Sequence, residues 1–528
     1  MAVSPVGSEA DEGAAGVLEQ VLEILEDTCD DLSPCGPAVT SLLPRLFSHL
    51  NAALSLSSPS AGPSNPVDAA LTLSASLLRL SDEKLNSFPY KDVPLHWRRL
   101  YTDASLLGCI ARLACLDVQD EGARERERES AETAVRELDM VLVIAGAPGE
   151  GREELIFALM EVAQERLRAL LPLGAFSSSP PPAKKRRLSP PPRLARPYIH
   201  RPLPSLPSLP SRLSPSPPGN PPTPFVPEGN PHDSPFVIRG GASSSTGWPA
   251  VEHWKELRYL VQKAGPGRVV PVEIGGDYTK EGWGQRIMPF SEFLASLSPS
   301  PSPSADSSPH SPPLPTYYLA QHSLFRQFPS LLSDLTVPDL VYSAPTSDGA
   351  GESYEGVSTA DGYIMNAWLG PGGTKSAAHT DPWWNCYVQV TGSKWVWVAP
   401  PCCSSSMAAF GASSSPSSPP SSPSAAPPSA SEKAEQYMSN TSSLDVTVPP
   451  PLPLQSSAPG APPPTTDGEA AAVVGDGKGG YYPREWLQQV EPLARQVVLE
   501  AGDVLVMPPR WWHAMQSLET SFSVSIWF

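Results

Sequence analysis

Proline decides how much of this chain can fold. There are 67 prolines among 528 residues, and they crowd with serine into stretches that hold too few apolar side chains to bury a core. The runs at residues 172–233, about 296–313 and about 402–480 therefore read as a disordered linker and two low-complexity insertions. What remains is enough for two folded units, fewer than the length alone would imply. Over residues 16–171 apolar side chains return at helical spacing: Val17, Leu18, Val21, Leu22 and Leu25, then Leu106, Leu107, Ile110 and Leu113, then Leu155, Leu159, Val162 and Leu167. A helical domain is expected there, broken near Ser57 to Pro66 by another Ser/Pro stretch.

Past residue 234 the period changes. Val269-Val-Pro-Val-Glu-Ile274, Tyr387-Val-Gln-Val390, Lys394-Trp-Val-Trp-Val398, Val504-Leu-Val-Met507 and the alternating Phe522, Val524, Ile526 and Phe528 are short, rich in β-formers and separated by turn residues. An antiparallel barrel or sandwich over residues 234–528 follows, with 387–390 and 394–398 expected as a hairpin about Thr391-Gly-Ser393. The fold class is α+β and multidomain.

The net charge of -18 argues against direct nucleic-acid binding and is compatible with basic protein partners. Seven cysteines (Cys29, Cys35, Cys109, Cys115, Cys386, Cys402, Cys403) contain no CxxC pair, which fits a reducing compartment rather than a disulfide framework or structural zinc. No leader pattern and no membrane-length apolar run is seen, so a soluble intracellular protein without membrane association is expected. Within the linker, Lys184, Lys185, Arg186 and Arg187 stand between prolines, exposed on a stiff backbone as a nuclear import receptor would need them; a solubilising charge cluster is the plainer reading. The nucleus is the expected location, with the cytoplasm as a second compartment.

Chemistry is concentrated at His379-Thr380-Asp381 and at His513. Residues two apart on a strand share a face, so His379 and Asp381 can chelate one ion, and His513 on a later strand can complete a set of two imidazoles and one carboxylate. Such a facial triad holds Fe(II) on one side and leaves the other open. A chance His-x-Asp and a core histidine beside tryptophan remain the competing reading.

The surrounding motifs resemble the Jumonji-C (JmjC) 2-oxoglutarate oxygenases, most closely the lysine-specific demethylase 8-like, or arginyl hydroxylase, subgroup. The resemblance is carried by Asn366-Ala-Trp-Leu-Gly-Pro371, Gly373-Thr-Lys-Ser376, His379-Thr-Asp-Pro382, Gln389-Val-Thr-Gly-Ser-Lys394, Ala501-Gly-Asp503, Trp512-His513 and Ser521-Phe-Ser-Val-Ser-Ile-Trp527. Upstream it includes Val270-Pro-Val-Glu-Ile-Gly275, Tyr318-Leu-Ala-Gln-His322 and, in the helical region, Trp97-Arg-Arg-Leu-Tyr101. It implies a C-terminal double-stranded β-helix, a cupin-like jelly roll, behind an N-terminal helical domain. It implies Fe(II) held by His379, Asp381 and His513, with O2 and the co-substrate 2-oxoglutarate, the latter contacted by Tyr318, Ser376, Asn385, Lys394 and Trp527. Lys394 matches the lysine that takes the distal carboxylate, against a reading as an ordinary solvent-facing strand lysine.

Glu273, Tyr278, Trp283 and Gln321 match substrate positions, and a carboxylate with aromatic faces suits a guanidinium. Asp277 departs from the subgroup, which more often carries a basic residue there. Three functions follow for comparison: hydroxylation of an arginine side chain in a protein, demethylation of methyl-lysine on a histone or other chromatin protein, and a catalytically silent nuclear scaffold. The complete triad and the presence of Lys394 argue against the third. Within the second insertion, residues 438–446 resemble an ordered segment of the family and are expected to return to the barrel.

Overall fold

A computed structural model describes residues 8–55, 65–114, 121–170, 211–213, 234–275, 283–297, 315–343, 345, 353–410, 438–448 and 482–528. The basic cluster at 184–187, Tyr278 and nearly all of the expected insertion at about 296–313 lie outside the described residues. The chain divides into two units, one comprising Met1–Ser189, Val261–Val270 and Ile287–Glu292 and the other the remainder.

The first unit is helical, with α1 (Ser8–Asp27), α2 (Pro37–Leu54), α3 (Pro66–Leu85), α4 (Leu95–Ala114), α5 (Glu121–Met140) and α6 (Arg152–Leu170). Its first helix starts earlier than the expected boundary at residue 16. Local chemistry sets the starts: the Asn65 side chain accepts the Val67 N–H at 3.0 Å, Pro66 follows with its φ already helical, and Asp68 sits in the positive first turn of α3. Helix α4 is buried almost all round from Arg99 to Ala111 and forms the axis on which the other helices pack. The Arg/Glu run of α5 is a solvated face, Arg128 pairing with Glu125 at 2.6 Å and Glu132 at 3.0 Å. Deep in this unit Asp139, with no exposed surface, takes two guanidinium nitrogens of Arg268 at 2.7 and 3.0 Å and the Val269 N–H at 2.8 Å. Among the described residues no helix is long and apolar enough to cross a membrane.

The second unit is built on strands: β1 (Ser211–Leu213), β2 (Phe236–Arg239), β3 (Val269–Ile274), β4 (Gly284–Pro289), β5 (Tyr317–His322), β6 (Ile364–Gly370), β7 (Lys375–His379), β8 (Asn385–Thr391), β9 (Lys394–Ala399), β10 (Arg495–Leu499), β11 (Val504–Met507), β12 (Trp512–Ser517) and β13 (Ser521–Trp527). They form a nine-stranded sheet, β1-β2-β11-β8-β13-β6-β5-β3-β4, and a four-stranded sheet, β10-β9-β12-β7. From β6 to β9 and from β10 to β13 successive strands step from one sheet to the other, which is the double-stranded β-helix expected from the resemblance.

Two local expectations are corrected. Strands β8 and β9 form no hairpin ladder, because β8 pairs with β11 and β13 while β9 pairs with β10 and β12. The Thr391-Gly-Ser393 turn instead carries the chain between sheets; Gly392 has φ +71°, and a Cβ there would lie 2.2 Å from the Thr520 carbonyl oxygen. Residues 402–410 and 438–448, inside the expected insertion of about 402–480, are ordered: Cys403 and Met407 enter the core outside the small sheet, and 438–448 returns to β7 as expected.

Strand parity fixes what faces the interior. On β9, Val396 and Val398 belong to the core between the sheets, with Tyr387, Leu505 and Met515, whereas Trp395 and Trp397 pack outside with Trp486 and Met407. Lys394 therefore points inward with the valines. On β13 the apolar Phe522, Val524 and Ile526 take one face, and Ser523, Ser525 and Trp527 line up opposite Trp368, Asn366 and Ile364 on one side and Gln389, Tyr387 and Asn385 on the other. The inner face of β13 thus carries two serines and Trp527, and the apolar alternation in its sequence marks its outer face.

Candidate functional site

Register brings the two histidines of the triad together. His379 ends β7 and pairs directly with His513 on β12, so the two imidazoles are cross-strand neighbours with ring centroids 4.2 Å apart. Asp381 is not on a strand, contrary to expectation, since β7 stops at His379. Its backbone carbonyl accepts the Arg510 N–H at 2.8 Å, and the Thr380 N–H is held by the Asn440 carbonyl at 3.0 Å. The carboxylate reaches His379 Nε2 at 3.9 Å and His513 Nε2 at 3.6 Å, and all three donor atoms lie within 4.8 Å of one another. This is the one such group of three found among the described residues.

Each imidazole is pre-set for a metal. His379 Nδ1 donates to the Ala377 carbonyl at 2.8 Å and His513 Nδ1 to the Trp511 carbonyl at 3.0 Å, both two residues back. A carbonyl can only accept, so each Nδ1 carries the proton and each Nε2 offers its lone pair toward Asp381. Burial pushes the His513 pKa down to about 4, helped by His379 and opposed by Asp381, so its ring is neutral at physiological pH. The donor set of two nitrogens and one carboxylate oxygen fits a divalent iron site with open positions.

A bulge sets the next residue. Between His513 and Met515 the pairing slips by one, so Ser376 rather than Ala377 stands opposite Met515, and Ser376 and His379 both face the interior although they are three apart. Lys394, 1% exposed, donates to the Tyr387 hydroxyl at 2.8 Å and lies 5.5 Å from the Tyr387 ring and 6.0 Å from the Tyr318 ring. Among the described residues no carboxylate pairs with it, and burial brings its pKa down to about 7. An ammonium so placed lacks an anion. Nearby on β8 and β13, Asn385 and Trp527 are in register, and Asn385 Oδ1 and Trp527 Nε1 are buried without a hydrogen-bond partner. Such orphaned atoms cost free energy until a ligand or water meets them. A buried ammonium bonded only to a neutral hydroxyl among the described residues, and an indole N–H without an acceptor, fit a dicarboxylate such as 2-oxoglutarate.

Tyr318 is buried on β5, its ring 6.3 Å from Trp368, and packs close to the backbone at Gly370, where a Cβ would meet its ring at 2.5 Å. Glu273 on β3 is directly opposite Tyr318, so both side chains take the inner face. Gln321 sits in the irregular pairing between Leu319 and His322 with φ +47°, a strained left-handed conformation that turns its side chain out of the strand's alternation. Trp283 stands 38% exposed immediately before β4 at the sheet edge. Sequence reasoning missed Tyr387, which holds the Lys394 ammonium.

The family model described as Cupin-like domain matches residues 222–528. The chain is 30% identical over 284 residues to Jumonji C domain-containing protein 5 of Drosophila melanogaster, covering 53% of this chain and 52% of that protein. It is 28% identical over 295 residues to Lysine-specific demethylase JMJ30 of Arabidopsis thaliana, covering 56% and 50%. Similarity to Lysine-specific demethylase 8 of Danio rerio runs at 27% identity over 459 residues, 86% of each chain. The chain thus spans about half the length of the first two relatives and most of the third.

Proposed function

The chain belongs to the cupin-like domain family, and from that premise we propose that it is an Fe(II)- and 2-oxoglutarate-dependent protein oxygenase that hydroxylates an arginine side chain, with succinate and CO2 as co-products. The observation that carries this reading is the pairing, inside one barrel, of the His379, Asp381 and His513 triad with a buried Lys394 ammonium that lacks a carboxylate among the described residues. Bound iron would supply the activation of oxygen. The protein's own residues do the rest. The triad would hold the ion by Nε2 and carboxylate donors; Lys394, steadied by Tyr387, would take the distal carboxylate of 2-oxoglutarate; Trp527 would donate its orphaned N–H to it. Glu273 on the inner face, with Trp283 near the edge, suits a guanidinium through charge and aromatic stacking.

Demethylation of methyl-lysine is the second reading, favoured by two relatives that bear the name lysine-specific demethylase. Hydroxylation of an N-methyl carbon at the same site would release formaldehyde. Arginine-containing and methyl-lysine peptides incubated with the full chain, Fe(II), ascorbate and 2-oxoglutarate separate the two by mass spectrometry. A gain of one oxygen on arginine supports the first reading, and loss of a methyl group with formaldehyde replaces it by the second. A protein that binds metal and 2-oxoglutarate yet modifies neither class of peptide would count against both.

A further inference from the structure

We propose that Asn440 is a positioning residue for the metal-ligand loop, holding Thr380 and through it the Asp381 carboxylate; this rests on reading the triad as a metal site. The last rung of β7 is His379, so no sheet ladder fixes the two residues beyond it. Asn440 replaces that ladder with a reciprocal pair: its backbone carbonyl accepts the Thr380 N–H at 3.0 Å, and its side-chain amide donates to the Thr380 carbonyl at 2.8 Å. Both peptide groups flanking Thr380's side chain are therefore committed, and Arg510 N–H secures the next carbonyl, that of Asp381. A carboxylate that must meet two imidazoles in one geometry gains from being held before the metal arrives.

The segment bearing Asn440 is itself anchored along β7. Thr441 bridges His379, the Ser442 N–H donates to the Ala378 carbonyl at 2.7 Å, and Asp445 pairs with Lys375 at 3.1 Å. Its other side bonds to Ala408 and Phe410, so it lies between β7 and residues 408–410, joined to each by an isolated bridge. Asparagine is required at 440 because only an amide combines this size with a donor; alanine has none, and an aspartate would set oxygen against the Thr380 carbonyl. The side chain is exposed, so its replacement opens no cavity.

Cobalt(II) titrations of the full chain, read by visible absorption, test this without turnover. Asn440→Ala and the nearly isosteric Asn440→Asp should each weaken cobalt binding about tenfold, the size usual for loss of a group that orients a ligand. Ser443→Ala removes a hydrogen bond from the same segment to the Ala408 carbonyl, away from the metal loop, and should bind as wild type does. Wild-type affinity in both Asn440 variants overturns the proposal while sparing the triad. An equal loss in Ser443→Ala also overturns it, since docking of the segment would then be the cause. If wild-type protein takes up no cobalt, the triad reading falls and the proposal with it.

Discussion

His379 and His513 both spend their Nδ1 proton on a carbonyl of their own strand, which leaves Nε2 as the only atom that can bind an ion. Replacing either imidazole by alanine should therefore abolish stoichiometric cobalt or iron binding, measured by titration, and not merely slow turnover. Lys394 gives a separable outcome: Lys394→Ala should weaken 2-oxoglutarate binding by a few kcal/mol, about a hundredfold, with cobalt affinity unchanged. Its pH dependence has a definite sign. The ammonium falls from its ordinary 10.5 to about 7 when buried, so between those values the unfolded chain holds a proton that the folded, ligand-free protein has lost. Folded stability from this group accordingly rises with pH through that window. A bound carboxylate returns the proton, so 2-oxoglutarate binding should take up about one proton near pH 8 and weaken up to about tenfold per pH unit above 7. Calorimetry in buffers of different ionisation enthalpy reads that uptake. These residues were legible in sequence because two imidazoles, a carboxylate and a lysine in a strand are chemically conspicuous. Tyr387 was not, because its contact with Lys394 exists only once β8 and β9 face each other across the barrel.

At the level of elements, the turn between β8 and β9 bears the sharpest constraint. Gly392→Ala should destabilise the protein by about 1–3 kcal/mol from backbone conformation alone, with the Thr520 carbonyl in the way as well; the midpoint of denaturant unfolding measures it. The strands themselves could be read from β-branched runs and turn residues, but their partners could not. A short turn between two strands favours a hairpin when both lie in one sheet, and only the closed two-sheet topology sends β8 and β9 to different sheets. Facing was equally hidden. Phe522, Val524 and Ile526 look like the buried side of a half-exposed strand, whereas both sides of β13 are buried and the serines face the site. The HxD pair was placed on one face by assuming a strand that in fact ends at His379; loop hydrogen bonds, not pleat, orient Asp381.

For the molecule as a whole, the change in apolar periodicity foretold a helical unit and a strand unit, but not that Val261–Val270 and Ile287–Glu292 belong with the helices. The Asp139 carboxylate accounts for part of that membership, taking Arg268 in a buried bidentate pair. Asp139→Ala would remove the buried carboxylate that the Arg268 guanidinium meets in a bidentate pair and should cost about 3–5 kcal/mol, seen in thermal unfolding. Glu125→Ala, at an exposed pair on α5, should leave the thermal unfolding midpoint essentially where it is in wild type. The in-register pairing of His379 with His513 has a further consequence, for the order of events during folding. The two ligands come from β7 and β12, which are more than 130 residues apart in sequence and meet as neighbours in the small sheet, with β9 on the other edge of β12. Contacts between parts so far apart along the chain form late. A folding chain therefore has no complete metal site until β12 has met β7, so capture of the ion reports that this long-range pairing has formed.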